Sequence, residues 1–520
     1  PAPRAGRGRM SGPTAPSDGF GFGGTGTGGG RRLLGTVGLA LVIVSAMDSV
    51  RNLPTTATFG WACVFLYGVA IFAYVVPVAM TSAELSTMVG GGMYDWVRAG
   101  LGSRLGLLAV WCDWSENIVW FPTVLVFLAT TAAYVLDPAL AQDKAFLLPM
   151  MLVLFWATTA VAFLGPLHSA RWTGVGITVG TVLPTAVIIS LGLWWVVSGH
   201  HLQAPLHPGA LVPAWRGLNS LVYAAGIVVA FAGMEIGGFY SHVTRDVKRV
   251  YPRAVLLAAL VVAGSSILGS VAIAVVVPRS QLSLAGGLMQ ALSFFFGQLG
   301  MAPLVRPLGL LVIVGAMFSL VSWSVGPAEG MRAIAADGRL SGWWGRSNRR
   351  GAPVSVLVLQ AALGTALCLL MLLVRNINTY YWMLTSLVAQ TFLVMYLLMY
   401  LSVIRLRLTR PEAPRPFRIP GGGLGLIAVV GTGVVGALFT FVLGFVPANP
   451  LSGPATAAYV AVMGLGMLIV VATPFLLHRG REEAAPYAAA TSVVTAASHR
   501  TETRVTANPS HAPASQPDLA

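Results

Sequence analysis

Charge is what this 520-residue chain has least of: Asp, Glu, Lys and Arg together make up 9% of it, against 56% apolar residues. Soluble domains carry about 25% charged residues, so a water-facing globule of this size is excluded. Cysteine is nearly absent as well. Cys63, Cys112 and Cys368 all fall in apolar runs, which leaves no disulfide framework and no paired metal-ligand spacing, and they read as small packing residues. No clustered His, Asp and Glu and no nucleophile-and-base pair stand at one membrane depth, which argues against a membrane enzyme. No cofactor and no metal is expected. A β-barrel would show short alternating segments, and this chain has long unbroken apolar runs instead.

Those runs are about 20 residues long, the length that crosses a bilayer core of roughly 30 Å as a helix. They predict an all-α integral membrane protein with twelve transmembrane helices, at 34–53, 59–85, 105–135, 146–165, 172–197 and 218–240, then 254–277, 304–325, 354–374, 380–404, 424–445 and 457–477. Residues 1–32 read as a disordered cytoplasmic leader, too polar around Gly19 to Gly30 for a signal peptide, with Met10 as a candidate start. A core of ten spans covers 33–408. A connecting loop and spans 11 and 12 cover 409–478, and an Ala/Ser/Thr/Pro-rich disordered tail covers 479–520.

With both termini placed in the cytoplasm, 26 of the 32 lysines and arginines fall in cytoplasmic loops and tails. That asymmetry satisfies the positive-inside rule and predicts a multi-pass protein of the inner (cytoplasmic) membrane. The net charge of +15 is then topology and attraction to anionic lipid heads. It is spread over many loops without a nucleic-acid motif, so no nucleic-acid partner is expected and the bilayer is.

Two segments break the pattern. Ser45-Ala46-Met47-Asp48-Ser49-Val50-Arg51-Asn52-Leu53-Pro54 puts two charges, an amide and a proline into span 1. Charged groups at membrane depth face a cavity or a partner, and proline bends or stops a helix; either Asp48 and Arg51 pair with each other or the segment lines a site. Phe231-Ala232-Gly233-Met234-Glu235-Ile236-Gly237-Gly238 in span 6 holds three glycines and a carboxylate. Small residues in a span can be plain helix packing, but packing has no use for Glu235. Spans 1 and 6 are corresponding positions in a five-plus-five inverted repeat, and paired interruptions there point to a midplane site.

Further pieces join these two: Ser82-Ala83-Glu84-Leu85, Trp114-Ser115-Glu116-Asn117-Ile118-Val119-Trp120-Phe121-Pro122-Thr123, Tyr251-Pro252-Arg253-Ala254, Gly326-Pro327-Ala328-Glu329-Gly330, Tyr381-Trp382-Met383-Leu384-Thr385 with Gln390, and Pro414-Arg415-Pro416-Phe417-Arg418-Ile419-Pro420-Gly421-Gly422. In combination they resemble the amino acid permeases of the amino acid–polyamine–organocation superfamily, nearest the bacterial glutamate:GABA antiporters. The resemblance runs from span 1 to span 12 and leaves out both tails.

That resemblance implies the LeuT-type fold, a 5+5 inverted repeat plus two C-terminal helices with helices 1 and 6 broken. By carry-over, backbone around Ser45, Ala46, Met47 and Asp48 meets the substrate carboxylate, and backbone around Phe231, Ala232, Gly233 and Met234 meets its ammonium. Glu235 selects substrate or senses protons, and Trp120, Trp323 and Tyr381 line or gate the cavity. Glu235, Glu116 and Asp113 are the candidates for proton coupling, since buried carboxylates hold protons more tightly. Asp113 and Glu116, three apart on one helical face, can share a proton or hold an arginine. Glu84 is expected to pair with a basic loop residue, and Gln390 either lines the cavity or bonds a neighbouring helix.

Some relatives couple to protons through a lysine in span 5. Span 5 here has none, which leaves exchange or carboxylate-based coupling. Ser319, Ser322 and Ser324 could offer hydroxyls to sodium but equally bond their own helix. His200, His201 and His207 sit in the loop after span 5, as pH sensors or as solvated surface.

The expected function is secondary transport of amino acids by alternating access, as an antiporter; a proton-coupled symporter and a non-transporting sensor on the same scaffold are the alternatives. The protein is not expected to be an enzyme, and it works as a monomer or a homodimer. The topology is checked by reporter fusions: a fluorescent protein joined after residue 478 is expected to light up, and alkaline phosphatase at the same place to stay inactive.

Overall fold

The structure is a computed structural model, and it describes residues 34–47, 49–165, 176, 178–213, 222, 224–240, 244–374, 376–447 and 453–478. The leader and the tail therefore lie outside the described residues, and so does Asp48. Residues up to His478 form one compact unit.

The chain is helical throughout its described length. It opens with α1 (Thr36–Met47), a 3₁₀ turn at Val50–Asn52 and α2 (Leu53–Ala57); α1 and the segment after it meet at a bend of 50°. Span 2 is built from α3 (Cys63–Ala70), a π-turn at Ile71–Val75 and α4 (Val76–Met88). Then come α5 (Met93–Leu101), α6 (Ser103–Leu136), α7 (Lys144–Ala162) and α8 (Leu183–Val197), the last preceded by a π-turn at Thr178–Val182. The middle of the chain holds α9 (Ala224–Ala230), α10 (Ile236–Phe239), α11 (Val247–Ala274) and α12 (Gly287–Gln298). It ends with α13 (Val305–Ala336), α14 (Val354–Leu369), α15 (Ile377–Thr409), α16 (Gly422–Leu443) and α17 (Gly453–Leu477).

Among the described residues ten helices are long and apolar enough to cross a membrane, or eleven if the bent pair at the start is one span. The remaining expected span, 218–240, falls on short pieces and on residues outside the description. Two helices were not anticipated. Helix α5 carries Asp95 and Arg98 among its apolar positions and is too short to cross, and α12 is likewise a 12-residue segment between spans. Span 7 begins at Val247 rather than near 254, and α11 runs through Pro252 in its second turn.

Helix α6 is the most enclosed of the long helices, while α16 and α17 turn leucines, valines and isoleucines such as Leu424, Ile427, Leu465 and Leu468 outward. Outward apolar faces suit lipid. The closest helix approach joins α13 to the π-turn before α8. A Cβ on Gly315 would stand 2.2 Å from the Gly180 Cα, so no side chain fits at either position. Small residues at such crossings let backbones touch, which is the main source of packing energy between helices in lipid.

The C-terminal ends of α4 and α15 are tied by charge. Glu84 is fully buried and receives both edges of Arg407, from Nε and Nη2 at 2.6 Å each. Arg415 stands 3.4 Å away, and the Ile419 N–H donates to the same carboxylate at 2.9 Å. The Phe417 N–H donates to Thr87 close by, at 3.3 Å. Glu84 thus has the basic partner expected of it, and two of the partners come from the Pro414–Gly422 motif and its approach.

Removing one member of a buried ion pair strands the other, at a cost of about 3–5 kcal/mol, whereas an exposed pair is worth at most about 1 kcal/mol. Glu84→Ala is therefore expected to lower the unfolding midpoint in detergent sharply. Arg249→Ala, which breaks the exposed pair with Asp246, is expected to leave it nearly unchanged.

Candidate functional site

Helix 1 ends at Met47, and the chain restarts as a 3₁₀ turn at Val50 with Ser49 in extended conformation before it. That interruption borders a cavity. Its wall includes Ser45, Ala46, Met47, Ser49, Arg51 and Asn52 from this side, and Glu116, Asn117, Trp120, Val124 and Phe127 from α6. The spacing of the α6 residues, close to multiples of three and four, puts them on one helical face. Gly180 and Thr181, then Ala316, Ser319 and Trp323 of α13, Phe392 of α15 and Ala232 close the rest. The volume open to water centres is about 80 Å³, room for several ordered waters.

Ala232 belongs to the second interruption. Helix α9 stops at Ala230, residues 231–235 run as turns, and α10 resumes at Ile236. Gly233 takes φ +93°, a conformation that glycine adopts freely and other residues rarely do. One cavity is therefore lined by residues from both polar or glycine-rich breaks.

The expected residues divide into those on the cavity wall and those behind it. Ser45, Ala46, Met47, Ala232, Glu116, Trp120 and Trp323 are on the wall, and the Trp120 and Trp323 rings lie 6.0 Å apart. Phe231, Gly233, Met234, Glu235, Tyr381 and Asp113 are not. Phe231 packs edge-on against Tyr67, at 5.6 Å between centroids, which is why its side chain turns away. Met234 is buried in the core, and Asp113 is half-buried one turn before Glu116. Asp48 lies outside the described residues.

Glu235 sits one layer back. Its Oε2 accepts from the Tyr396 hydroxyl at 2.5 Å, and the Gly233 N–H donates to that hydroxyl oxygen at 3.4 Å. Phe392 stacks on Tyr396, 5.9 Å between centroids at an interplanar angle of 10°, and Phe392 is itself on the cavity wall. Two rings, Tyr396 and Phe392, therefore link the acid of helix 6 to the cavity wall. Gln390 takes the second of its two expected roles: its Nε2 donates to the Phe441 carbonyl of α16 at 3.0 Å.

Arg51 and Asn117 are the charged residue and one of the amides among the wall residues that the sequence reading did not select as site residues. Arg51 is 3% exposed, with Nη1 donating to Thr123 Oγ1 at 2.9 Å and to the Tyr381 hydroxyl at 3.1 Å. Its guanidinium also lies 5.6 Å from the Trp120 ring centroid and 5.9 Å from that of Tyr381. Tyr381 thus supports the arginine and stands behind it. Asn117 donates to Glu116 Oε2 at 3.1 Å. A charge in the first interruption was the available signal, and the sequence left open whether Arg51 pairs with Asp48 or its segment lines a site.

The comparisons with known proteins agree on what surrounds this cavity. The amino acid permease family model matches residues 34–470. The chain belongs to the amino acid permease family. An uncharacterized transporter of Legionella pneumophila is 33% identical over 455 residues, covering 87% of this chain and 98% of that one. A glutamate/gamma-aminobutyrate antiporter of Lactococcus lactis is 27% identical over 450 residues, covering 85% of this permease and 89% of the antiporter. A probable agmatine/putrescine antiporter of the same species is 24% identical over 398 residues, or 73% and 81% of the two chains. Among solved structures, MhsT in complex with L-phenylalanine superposes with a TM-score of 0.55 at 16% identity, over 80% of this chain and all of that one. At that identity the likeness speaks for the fold alone, an all-helical one like that of MhsT.

The Glu235–Tyr396 contact yields a stability ordering. Tyr396→Phe leaves a buried carboxylate without its hydroxyl donor, at a cost of about 1–3 kcal/mol. Glu235→Gln keeps an oxygen that can accept from the hydroxyl. Thermal unfolding of the purified permease is therefore expected to rank wild type above Glu235→Gln and Glu235→Gln above Tyr396→Phe.

Proposed function

We propose that this permease is a secondary active transporter that moves amino acids across the bacterial cytoplasmic membrane by alternating access, and that it works as an antiporter. The observation that carries the reading is the single cavity lined from both interruptions, Ser45, Ala46 and Met47 on one side and Ala232 on the other. Free amide donors at a helix start bind anions, and carbonyls at a helix end accept from cations, so two facing breaks suit a zwitterion. The last turn of α1, Ser45–Met47, leaves carbonyls free, so in this reading the α-carboxylate docks on the backbone amides where the chain restarts, from Ser49 on, and the α-ammonium on backbone at Phe231–Met234. Trp120 and Trp323 form the aromatic wall beside the substrate. The full architecture is twelve spans in a 5+5 inverted repeat plus two, broken at helices 1 and 6, with both termini cytoplasmic.

Exchange is favoured over symport by the relatives. Two of them are named as antiporters, and span 5 offers no lysine amine to carry a coupling proton. The carboxylates of Glu235, Glu116 and Asp113 remain as groups that could take up a proton during the cycle. Their order from the cavity outward starts with Glu116 on the wall.

Counterflow in proteoliposomes tests the proposal. Vesicles preloaded with an unlabelled amino acid are expected to take up labelled amino acid, and empty vesicles are expected not to. Uptake into empty vesicles driven by an inward proton gradient would assign a symporter instead. Binding without any uptake would assign the sensor.

A further inference from the structure

We propose that the turn from Arg346 to Gly351, between α13 and α14, binds the phosphate of an anionic phospholipid, with Trp343 as its anchor at the membrane surface. The inference stands apart from the transport reading and concerns the outer face of the protein.

The sequence poses the problem. No Asp or Glu occurs between Asp337 and Glu412, nor between Asp143 and Glu235. The turn carries Arg346, Arg349 and Arg350 and packs on the end of α7, so the two segments that meet here hold no acid. All three arginines are exposed, and among the described residues none of them makes an ion pair. Elsewhere the chain answers its arginines: Arg407 and Arg415 share Glu84, Arg332 meets Glu329, and Arg249 meets Asp246. Three like charges so close in the chain repel one another, which favours an anion from outside the fold.

The backbone holds the turn ready for one. Asn348 Oδ1 accepts from the N–H of Arg350 at 2.9 Å and from that of Ala352 at 3.0 Å. Its Nδ2 donates to the Phe163 carbonyl, just past α7, at 2.8 Å. The Asn348 N–H donates to the Ala352 carbonyl and the Gly351 N–H to the Asn348 carbonyl, each at 3.0 Å. A Cβ on Gly165 would stand 2.4 Å from the Arg350 carbonyl oxygen, so the turn lies directly against the chain after α7. With the backbone already fixed, binding has to order side chains alone. Guanidinium forks match phosphate oxygens two at a time.

The surroundings place the turn at a lipid surface. Trp344 is buried against Trp111 and Trp114, at 5.7 and 5.5 Å between ring centroids. Trp343 stands at 88° to Trp344 and is 39% exposed. Tryptophans with an open face sit at headgroup level. The helices that meet the turn also show apolar groups outward beside it: Val161 in the last turn of α7, and Val358 in the second turn of α14. A lipid's head and its chains therefore find their partners side by side.

Native mass spectrometry of the purified, delipidated full-length permease tests the site. Dioleoyl phosphatidylglycerol and dioleoyl phosphatidylcholine, which share their chains and differ in net charge, are titrated separately. The phosphatidylglycerol is expected to bind at least roughly tenfold tighter. Arg349→Gln together with Arg350→Gln is expected to remove most of that preference. Arg405→Gln together with Arg418→Gln, an equal loss of exposed charge, is expected to keep it. Asn348→Ala changes no charge and is expected to weaken phosphatidylglycerol binding several-fold by freeing the turn.

Equal binding of the two lipids by the wild type overturns the proposal. So does an equal loss in the two double variants, which would make the preference a matter of overall charge. Displacement of phosphatidylglycerol by millimolar inorganic phosphate would assign the turn to a soluble anion and overturn the lipid site. Should the variant lacking Arg349 and Arg350 fail to fold, Asn348→Ala decides, and unchanged phosphatidylglycerol binding there overturns the site.

Discussion

Hydrocarbon supplies no hydrogen bonds, so each charge or backbone break inside this protein has to be met by another part of the chain or by a bound guest. The described charges form a graded series under that constraint. Glu84 is met in full, by two guanidinium groups and an amide, at the C-terminal ends of α4 and α15. Glu235 is met by one short hydrogen bond from Tyr396. Arg51 is met by two hydroxyls and two rings and keeps an unmatched nitrogen. Compensation falls as the groups approach the cavity, which is what a site for a charged guest requires.

The scaffold that enforces this series is α6. It is enclosed along most of its length, and one face of it presents Glu116, Trp120 and Thr123 toward the first interruption. The contact between Gly180 and Gly315 brings the π-turn before α8 against α13 and closes the cavity beside Ser319 and Trp323. The face of α6 lies on one side of the cavity and the two interrupted helices on the other. Phe392 lies on the cavity wall and stacks on Tyr396, which donates to Glu235.

Much of this was open to reading from the residues. Apolar runs located the long helices, because a span is set by bilayer thickness. A helix end outside the span is not set that way: α11 starts at Val247 rather than near 254, and α13 runs on to Ala336 rather than ending near 325. Helices α5 and α12 escaped because they are shorter than a span, and in a chain this apolar a 12-residue segment such as 287–298 does not stand out. Glu84 could be assigned a basic partner from its depth alone, but not the choice of Arg407 and Arg415, which approach it only when α15 and the following loop fold back. Gln390 was undecided between cavity and neighbour until α16 came to lie beside it.

Composition and spacing by themselves determined that this chain is helical, lies in a membrane and carries a polar break near each of two corresponding places, since those properties depend on local transfer energies and on where charge and glycine stand. Which residues face the cavity was decided by tertiary structure. Glu116 and Asp113 are three apart and chemically alike, yet one lines the wall and the other does not. Tyr381 and Arg51 are 330 positions apart, and only packing makes the tyrosine a prop for the arginine. Orientation about a helix axis depends on what packs against it, and that information is spread over the whole chain.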